Sequence, residues 1–202
     1  RKDADIYIFS VSDGSVGEIA AQLAPAAGIF IHTAGSVSID VFKGCALQYG
    51  VLYPLQTFTR LRDIDFSNIP VFTEAESVTT LGALNDFASR LTNVVQKADS
   101  HARMILHLAA VFACNFTNHM YVTAEQLLKQ SNIPFDVLMP LIRETADKVA
   151  SISPVAAQTG PAVRKSLQVM DLHLKMLENN PSLAEVYEIL SKSIMAAHER
   201  KD

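Results

Sequence analysis

The feature that most limits the fold is an uninterrupted stretch from Ser100 to Gln130 that contains neither proline nor glycine. At a rise of 1.5 Å per residue, a helix over this stretch is about 45 Å long. Its side chains are apolar on most faces, so its own domain or a second copy of the chain must cover it. No strand pattern follows, and Pro140 is expected to kink the next helix. Three further helices are predicted, over residues 134–151, 161–178 and 181–198.

The residues before this stretch have a different pattern, in which short apolar runs alternate with turns rich in Gly, Pro and Ser. Helices with short connections between such strands are typical of a parallel sheet. We therefore predict an α/β domain over residues 1–97 and an all-α domain over residues 98–202. The strands are predicted at residues 5–11, 28–32, 49–54, 69–74 and 93–96, and the helices at residues 16–23 and 77–90.

Small polar residues follow two of the predicted strands. The run that begins at Gly28 ends in His32, Thr33, Gly35 and Ser36, and the run that ends at Pro54 leads to Gln56 and Thr57. Ligands of open α/β sheets bind at the carboxyl ends of the strands, so these residues are candidates for the floor of a site. They are equally compatible with turns that simply end strands.

Composition excludes several classes of protein. Hydrophobic residues make up 49% and charged residues 19% of the chain, which is typical of a folded globular protein. The net charge is −4, and the only basic clusters are residues 60–62 and 198–201, so we do not expect a nucleic-acid partner. No apolar run is long enough to span a membrane. Cys45 and Cys114 are expected to be buried free thiols in a reducing cytoplasm.

Polar residues interrupt the apolar surface of the long predicted helix. At 100° per residue His107, Cys114, Asn115 and Asn118 fall within an arc of roughly 100°. Such an arc indicates either a face turned to a ligand or satisfied core and subunit contacts, because buried polar groups need partners. His101 and His119 lie about 27 Å apart along the helix and cannot share a metal ion, so no metal site is predicted.

A second candidate constellation follows Gln158. Thr159 or Gly160 at the cap and Pro161 in the first turn would leave backbone N–H groups free at a helix N-terminus, with Arg164 one turn inside. Free N–H groups, the helix dipole and a guanidinium together form an anion site. The alternative is an ordinary capped helix whose arginine is solvated.

Sequence motifs of common catalytic sites are absent. No nucleophile elbow and no G-x-G-x-x-G fingerprint occurs, and no Ser-His-Asp or Cys-His order can be defended. Function therefore has to be argued from longer motifs.

Four such motifs occur in the same order in one bacterial family. The chain resembles Rossmann-like proteins with a helical C-terminal domain of unknown function, which carry the label "putative NADP oxidoreductase". They are related to deazaflavin-dependent NADP reductase, pyrroline-5-carboxylate reductase and ketopantoate reductase. The motifs are His32-Thr-Ala-Gly-Ser36, Tyr53-Pro-Leu-Gln-Thr-Phe58, the stretch from His107 to Asn118, and Thr159-Gly-Pro-Ala-Val-Arg164.

The resemblance implies a partial Rossmann-like sheet that binds NADP, a helical dimerisation domain that makes a homodimer, and a substrate cleft between them. His107 and Asn115 would face the reacting carbon, with His107 as proton donor. The substrate would be held by Gln56, Asn118, Thr159, Gly160 and Arg164. The nicotinamide half of the cofactor would lie on Ser10, Val11, Ser12, Asp13, His32, Thr33, Ala34, Gly35 and Ser36.

Three departures from the family pattern stand out. Ser166 replaces an acidic residue, and Tyr53 stands where a histidine often precedes the proline. Family members also carry a glycine-rich β-α-β unit upstream of the position of Arg1, and we expect this segment to be missing here. Two functions follow: an NADP-dependent reductase of a small carboxylated or imine-like substrate, or a non-catalytic dimeric module that binds a small anion or nucleotide.

Overall fold

A computed structural model describes residues 3–60 and 62–199. Parts of the two small basic clusters, at positions 61, 200 and 201, lie outside the described residues. The chain forms two compact units, and the division falls between Thr123 and Ala124. Strands end at Lys97 and only helices follow. The boundary predicted between residues 97 and 98 marks that change, and as a division between domains it stays a prediction.

A five-stranded sheet forms the centre of the first unit. The strands lie in chain order, with β1 and β2 each parallel to the strand that follows and β4 parallel to β5. β3 and β4 are antiparallel, so the sheet predicted as parallel is mostly parallel with one antiparallel pair. The five strands are β1 (Ile6–Phe9), β2 (Ile29–His32), β3 (Tyr49–Pro54), β4 (Val71–Ala75) and β5 (Val95–Lys97).

The antiparallel pair follows from the connection between its strands. A parallel pair needs a crossover, usually a helix, whereas antiparallel strands join directly. The described residues between β3 and β4 include one short 3₁₀ turn, Phe66–Asn68, and no α-helix. The chain therefore returns alongside β3.

Alternate residues of the strands enter two cores on opposite faces of the sheet. Helix α1 (Val16–Leu23) covers one face and helix α2 (Val78–Ala88) the other. Neighbours Phe30 and Ile31 of β2 point to different cores because successive strand side chains alternate in direction. Apolar burial on both faces is typical of sheets with helices on each side.

The long helix predicted from Ser100 is present and ends at Lys129. It consists of α3 (Ser100–Ala110), a π-helical segment (Val111–Phe116) and α4 (Thr117–Lys129). The carboxylate of Asp99 caps it by accepting the Ala102 N–H at 2.7 Å. No helix in the described part of the chain is long and apolar enough to cross a membrane.

Helices of 4 to 19 residues follow the long helix in the second unit. Pro140 lies in the first turn of its helix, where a missing N–H costs nothing, so the predicted kink is replaced by a helix start. The helices are α5 (Met139–Ser151), α6 (Pro154–Ala157), α7 (Leu167–Met176) and α8 (Pro181–Glu199), with a 3₁₀ turn at Phe135–Leu138.

The helix predicted to begin at Pro161 is wrong. Residues 161–165 form turns, and α7 starts only at Leu167. Lys165 has a φ of 50°, in the left-handed region, which interrupts any helix that continues through it. Gly160 has a φ of 112°, which a glycine adopts without strain. Arg164 therefore precedes a helix instead of lying one turn inside it.

Candidate functional site

The turn after β1 and the loop after β2 form one polar edge. Phe9 pairs with His32 at the ends of the two strands, so the residues that follow them are neighbours. The Ser36 hydroxyl donates a hydrogen bond to the Asp13 carboxylate and joins the two segments. Ser10 and Asp13 are exposed, as expected for residues that meet a ligand.

His32 stands at this edge but faces inward. Its side chain is completely buried, its ring packs 5.6 Å from that of Phe42, and its Nδ1 accepts the Ala34 N–H at 3.2 Å. Burial, and then the positive charge of Arg103, lower the pKa of His32 to about 4. The neutral ring keeps its proton on Nε2, which faces the Ser38 backbone but makes no hydrogen bond of good geometry among the described residues. His32 can offer a ligand only its backbone.

Gly35 brings this edge into contact with the long helix. A Cβ built on Gly35 would lie 2.8 Å from the Cβ, Cγ and Nδ1 atoms of His107. Only glycine allows so close an approach, and the imidazole is held against the loop backbone. The loop after β2 and helix α3 are therefore in direct contact at Gly35 and His107.

A buried ion pair fixes the start of α3. The Arg103 guanidinium, 1% exposed, pairs with Glu74 at the end of β4 and donates to the Val37 carbonyl. The Ser100 N–H and hydroxyl donate to the same carboxylate at 3.0 and 2.9 Å. One turn beyond Arg103 the same helix face carries His107. The ion pair thus holds α3, β4 and the loop after β2 in one arrangement.

His107 also contacts Tyr53 at the end of β3. The Tyr53 hydroxyl lies 3.4 Å from Nδ1 of His107, and the two rings meet edge to face with centroids 6.4 Å apart. Tyr53 is 8% exposed. Burial raises the pKa of Tyr53, and the charge of Arg103 acts in the opposite direction. The phenol therefore keeps its proton at neutral pH.

These residues open onto a cleft of about 260 Å³. The π-helical segment supplies part of the wall, and such segments are frequent at functional sites. It turns Cys114 toward solvent, so the prediction that this thiol is buried is wrong, while Cys45 is half-buried and free. The cleft is lined by Tyr53, Leu55, Gln56, Thr57, His107, Ala110, Cys114 and Asn115.

Among the predicted site residues, the cleft brings together Gln56, His107 and Asn115. Asn118 is exposed and does not line it, because the wider π turn shifts the residues that follow. Thr159, Gly160 and Arg164 belong to the second unit, where Arg164 is exposed. The binding roles of all these residues stay predictions. No cluster of three metal-ligating side chains occurs within residues 3–60 and 62–199.

The sequence did not predict that Tyr53 lines the cleft or that Arg103 holds the helix beside it. Tyr53 begins one motif and departs from its usual histidine. An aromatic hydroxyl between a buried strand and polar residues is a signal that could have indicated the cleft. An arginine one turn before His107 on a largely apolar helix is another, because a buried arginine requires a carboxylate.

Comparison with known proteins agrees with this architecture. A protein from Bacteroides fragilis, described as a putative NADP oxidoreductase, is 46% identical and superposes with a TM-score of 0.93. That match covers 97% of this chain and 77% of the other. Residues 69–194 match a family described as a domain of unknown function, DUF2520. The chain belongs to this family.

More distant solved structures show the fold alone. A protein from Thermotoga maritima is 19% identical with a TM-score of 0.79, over 100% of this chain and 81% of its own. A putative oxidoreductase from Mycobacterium avium is 13% identical with a TM-score of 0.59, over 96% and 77%. No curated protein matches the chain. The predicted fold class and the resemblance to Rossmann-like proteins of this family are confirmed.

Proposed function

We propose that this DUF2520 protein is an oxidoreductase that takes NADP at the edge formed by β1 and β2 and reduces a small substrate in the cleft. The observation that carries the proposal is the contact between Gly35 and His107, because it supports a cofactor bound at the edge lying next to a substrate bound in the cleft. The description of the Bacteroides fragilis protein as a putative NADP oxidoreductase supports the same activity.

The residues of the edge fit the nicotinamide riboside end of the cofactor. Ser10 and Ser12 offer hydroxyls, and the Asp13 carboxylate accepts from Ser36 and has capacity for a further hydroxyl. A carboxylate repels a phosphate and favours ribose hydroxyls, so the nicotinamide riboside, which lies away from the phosphates, is the part that suits this edge. When bound, a reduced nicotinamide supplies a hydride to the substrate.

Within the cleft, polar side chains orient the substrate and move a proton. The amides of Asn115 and Gln56 can donate to or accept from a substrate heteroatom. His107 is the predicted proton donor, and its contacts with Gly35 and Tyr53 restrict the imidazole to one position. Leu55 and Ala110 provide apolar surface against the carbon skeleton.

Fluorescence titration with NADPH tests cofactor binding at the edge. Gly14→Phe adds a bulky side chain beside Asp13, where no atom lies within 4 Å of the new Cβ, so it should block the edge without disturbing the fold. We expect at least about tenfold weaker NADPH binding, equivalent to about 1.4 kcal/mol.

Gly82→Phe is the matched control for that titration. Gly82 is exposed on α2 and also has open space around its Cβ. NADPH affinity should match that of the wild-type protein. If wild-type protein shows no binding at millimolar NADPH, the proposed function is wrong.

We propose in addition that the second unit forms a homodimer. Its helix α7 exposes 58% of Leu172 and 75% of Met176, which lie one turn apart on one face. Leu172→Glu with Met176→Glu should halve the mass measured by light scattering. Asp171→Lys also changes the charge by two but lies about 100° around the helix from Leu172, and it should leave the mass unchanged. A wild-type chain that runs as a monomer contradicts this proposal.

The alternative function is a non-catalytic dimeric module that binds a small anion or nucleotide. It would be favoured if NADPH bound without turnover of any tested substrate.

A further inference from the structure

The cleft has no ionic side chain in its wall. Its eight lining residues contribute a phenol, a hydroxyl, two carboxamides, an imidazole, a thiol and two alkyl groups, with no Asp, Glu, Lys or Arg among them. A charged group placed there loses its hydration and gains no counter-ion from these residues, which is unfavourable. The wall is therefore suited to a ligand group that carries no charge.

This composition distinguishes between two classes of reducible double bond. An alkyl imine is basic and is protonated near neutral pH, so it arrives as a cation and needs a carboxylate beside it. An aldehyde or ketone arrives neutral and needs a proton only when hydride addition places negative charge on its oxygen. The eight residues that line the cleft include no carboxylate, and Asp63 and Asp65 line a separate hollow beyond Gln56 and Thr57. A proton donor is present in the cleft itself.

On the geometry of the pair, Tyr53 gives its proton to the substrate oxygen, and His107, the donor that the resemblance predicts, resupplies it. Tyr53 lines the cleft, and its hydroxyl lies 3.4 Å from Nδ1 of His107. Gly35 approaches the same imidazole closely and limits its position. The Tyr53 phenol remains protonated at neutral pH and lies beside an imidazole that can return its proton. General acid catalysis requires this arrangement.

We propose that the cleft binds a neutral aldehyde or ketone and that Tyr53, backed by His107, donates the proton to its oxygen. This inference rests on the proposed function, because the reductant is a reduced nicotinamide dinucleotide.

The step balances as follows in atoms and electrons. The carbonyl carbon accepts a hydride, a new C–H bond forms, and the C=O π pair moves to the oxygen. That oxygen takes the Tyr53 proton and becomes an alcohol. The phenolate regains a proton from Nδ1 of His107, and Nε2 of the same ring takes one from water. One hydride and one proton are consumed for each alcohol formed.

A matched pair of probes tests the substrate class. Cyclohexanone and 2,3,4,5-tetrahydropyridine are six-membered rings of similar size, and one is a neutral ketone while the other is a basic imine. With NADPH oxidation followed at 340 nm, kcat/KM should be at least about tenfold higher for the ketone, a difference of about 1.4 kcal/mol. Equal turnover, or preference for the imine, overturns the carbonyl assignment.

Variants of the tyrosine test the donor. Tyr53→Phe should lower kcat for cyclohexanone by roughly 10²–10⁴-fold while KM and NADPH affinity stay close to wild type. Tyr49→Phe, on the same strand but packed in the core around Phe42, is the control and should retain activity. An unchanged kcat in Tyr53→Phe shows that the phenol does not donate the proton.

A measurement on the free protein separates this inference from the proposed function. Proton NMR at constant pH should show the His107 imidazole resonances displaced in Tyr53→Phe and unmoved in Tyr49→Phe, because the Tyr53 hydroxyl lies 3.4 Å from Nδ1 of His107. Unmoved resonances in both variants mean that the pair is not coupled, whatever the protein reduces. Coupling without NADPH binding would overturn the reductase instead.

Discussion

The two compact units differ in how completely they exclude water. The first unit buries three apolar clusters around its sheet, and Val16, Phe30, Phe42 and Leu84 are completely inaccessible. In the described part of the second unit, the residues that reach burial are Ala162, Met170, Leu177 and Ser191, each 5–9% exposed. The apolar side chains of Leu141, Leu167, Leu172 and Ile189 are each about 60% exposed there.

This difference in burial explains where ionic and polar groups contribute most to stability. Ionic and polar groups have large effects on stability only where water is excluded, because solvent screens them elsewhere. The first unit holds Arg103 at 1% exposure beside Glu74, whereas the second unit pairs Lys192 with Glu188 at 69% and 47%. Four changes test how far this difference extends, in order of expected size.

The largest effect is expected when the buried ion pair is broken. Arg103→Met should lower the free energy of unfolding by about 3–5 kcal/mol, because it leaves the Glu74 carboxylate without its partner. Urea denaturation measures it. Lys192→Met breaks an exposed helical pair and should cost no more than about 0.5 kcal/mol.

The double variant Glu74→Gln, Arg103→Met shows what the loss consists of. If the cost is the unpaired charge, removing both partners should recover much of the lost stability. A double variant as unstable as Arg103→Met would point to lost packing of the arginine stem.

The next effect concerns pH. The pKa of His32 is about 4 in the folded protein and near 6.5 in a solvated chain, so the unfolded state binds a proton first as pH falls. The stability due to the neutral buried ring is present above pH 6.5 and is lost between there and pH 4, by roughly 3 kcal/mol. Thermal melts at pH 7, 5 and 4 measure the slope.

His32→Asn should flatten that slope, while His173→Gln in the second unit should keep it. If His32→Asn and the wild-type protein lose stability in parallel, another group controls the acid transition.

A smaller effect is expected at Gly35. Its replacement by alanine would press on the His107 imidazole at 2.8 Å and should destabilise the protein by about 1–3 kcal/mol through overpacking. Differential scanning calorimetry measures the change. Gly14→Ala, where the new methyl meets nothing within 4 Å, should leave the melting temperature almost unaltered.

The smallest effects have opposite signs in the two units. Gly82→Ala on α2 should stabilise by about 0.5–1 kcal/mol, because it removes a glycine from an exposed helix interior. Gly160→Ala in the second unit should destabilise by about 1 kcal/mol, since its φ of 112° strains any other residue. Two stabilising changes would contradict the backbone conformation at Gly160.

Much of the fold could be predicted from local pattern. The strand ending at His32 and the helix starting at Ser100 depend on apolar periodicity and on the positions of Pro and Gly, which the sequence displays directly. The direction of β4 could not be predicted from this pattern, because an apolar run has the same sequence whether its strand is parallel or antiparallel to the neighbouring strand. The break at Lys165 depends on a single φ angle that no periodicity reveals.

The candidate site was predictable in part. His107, Asn115 and Gln56 carry polar groups at positions where an apolar core needs none, and all three line one cleft. The contacts of Tyr53 with His107 and of Arg103 with Glu74 join residues far apart in the chain. Such pairings depend on how the sheet and helix pack, which a single sequence does not display.

Because of the π-helical segment at residues 111–116, the number of residues in the long helix decides which side chains line the cleft. A π turn holds about one residue more than an α turn, which offsets the later part of the helix by roughly 100°. Removing one residue there would restore a regular helix and still allow both ends to dock. Different residues of the segment would then face the cleft. An insertion or deletion can therefore alter the lining of the cleft as strongly as a substitution.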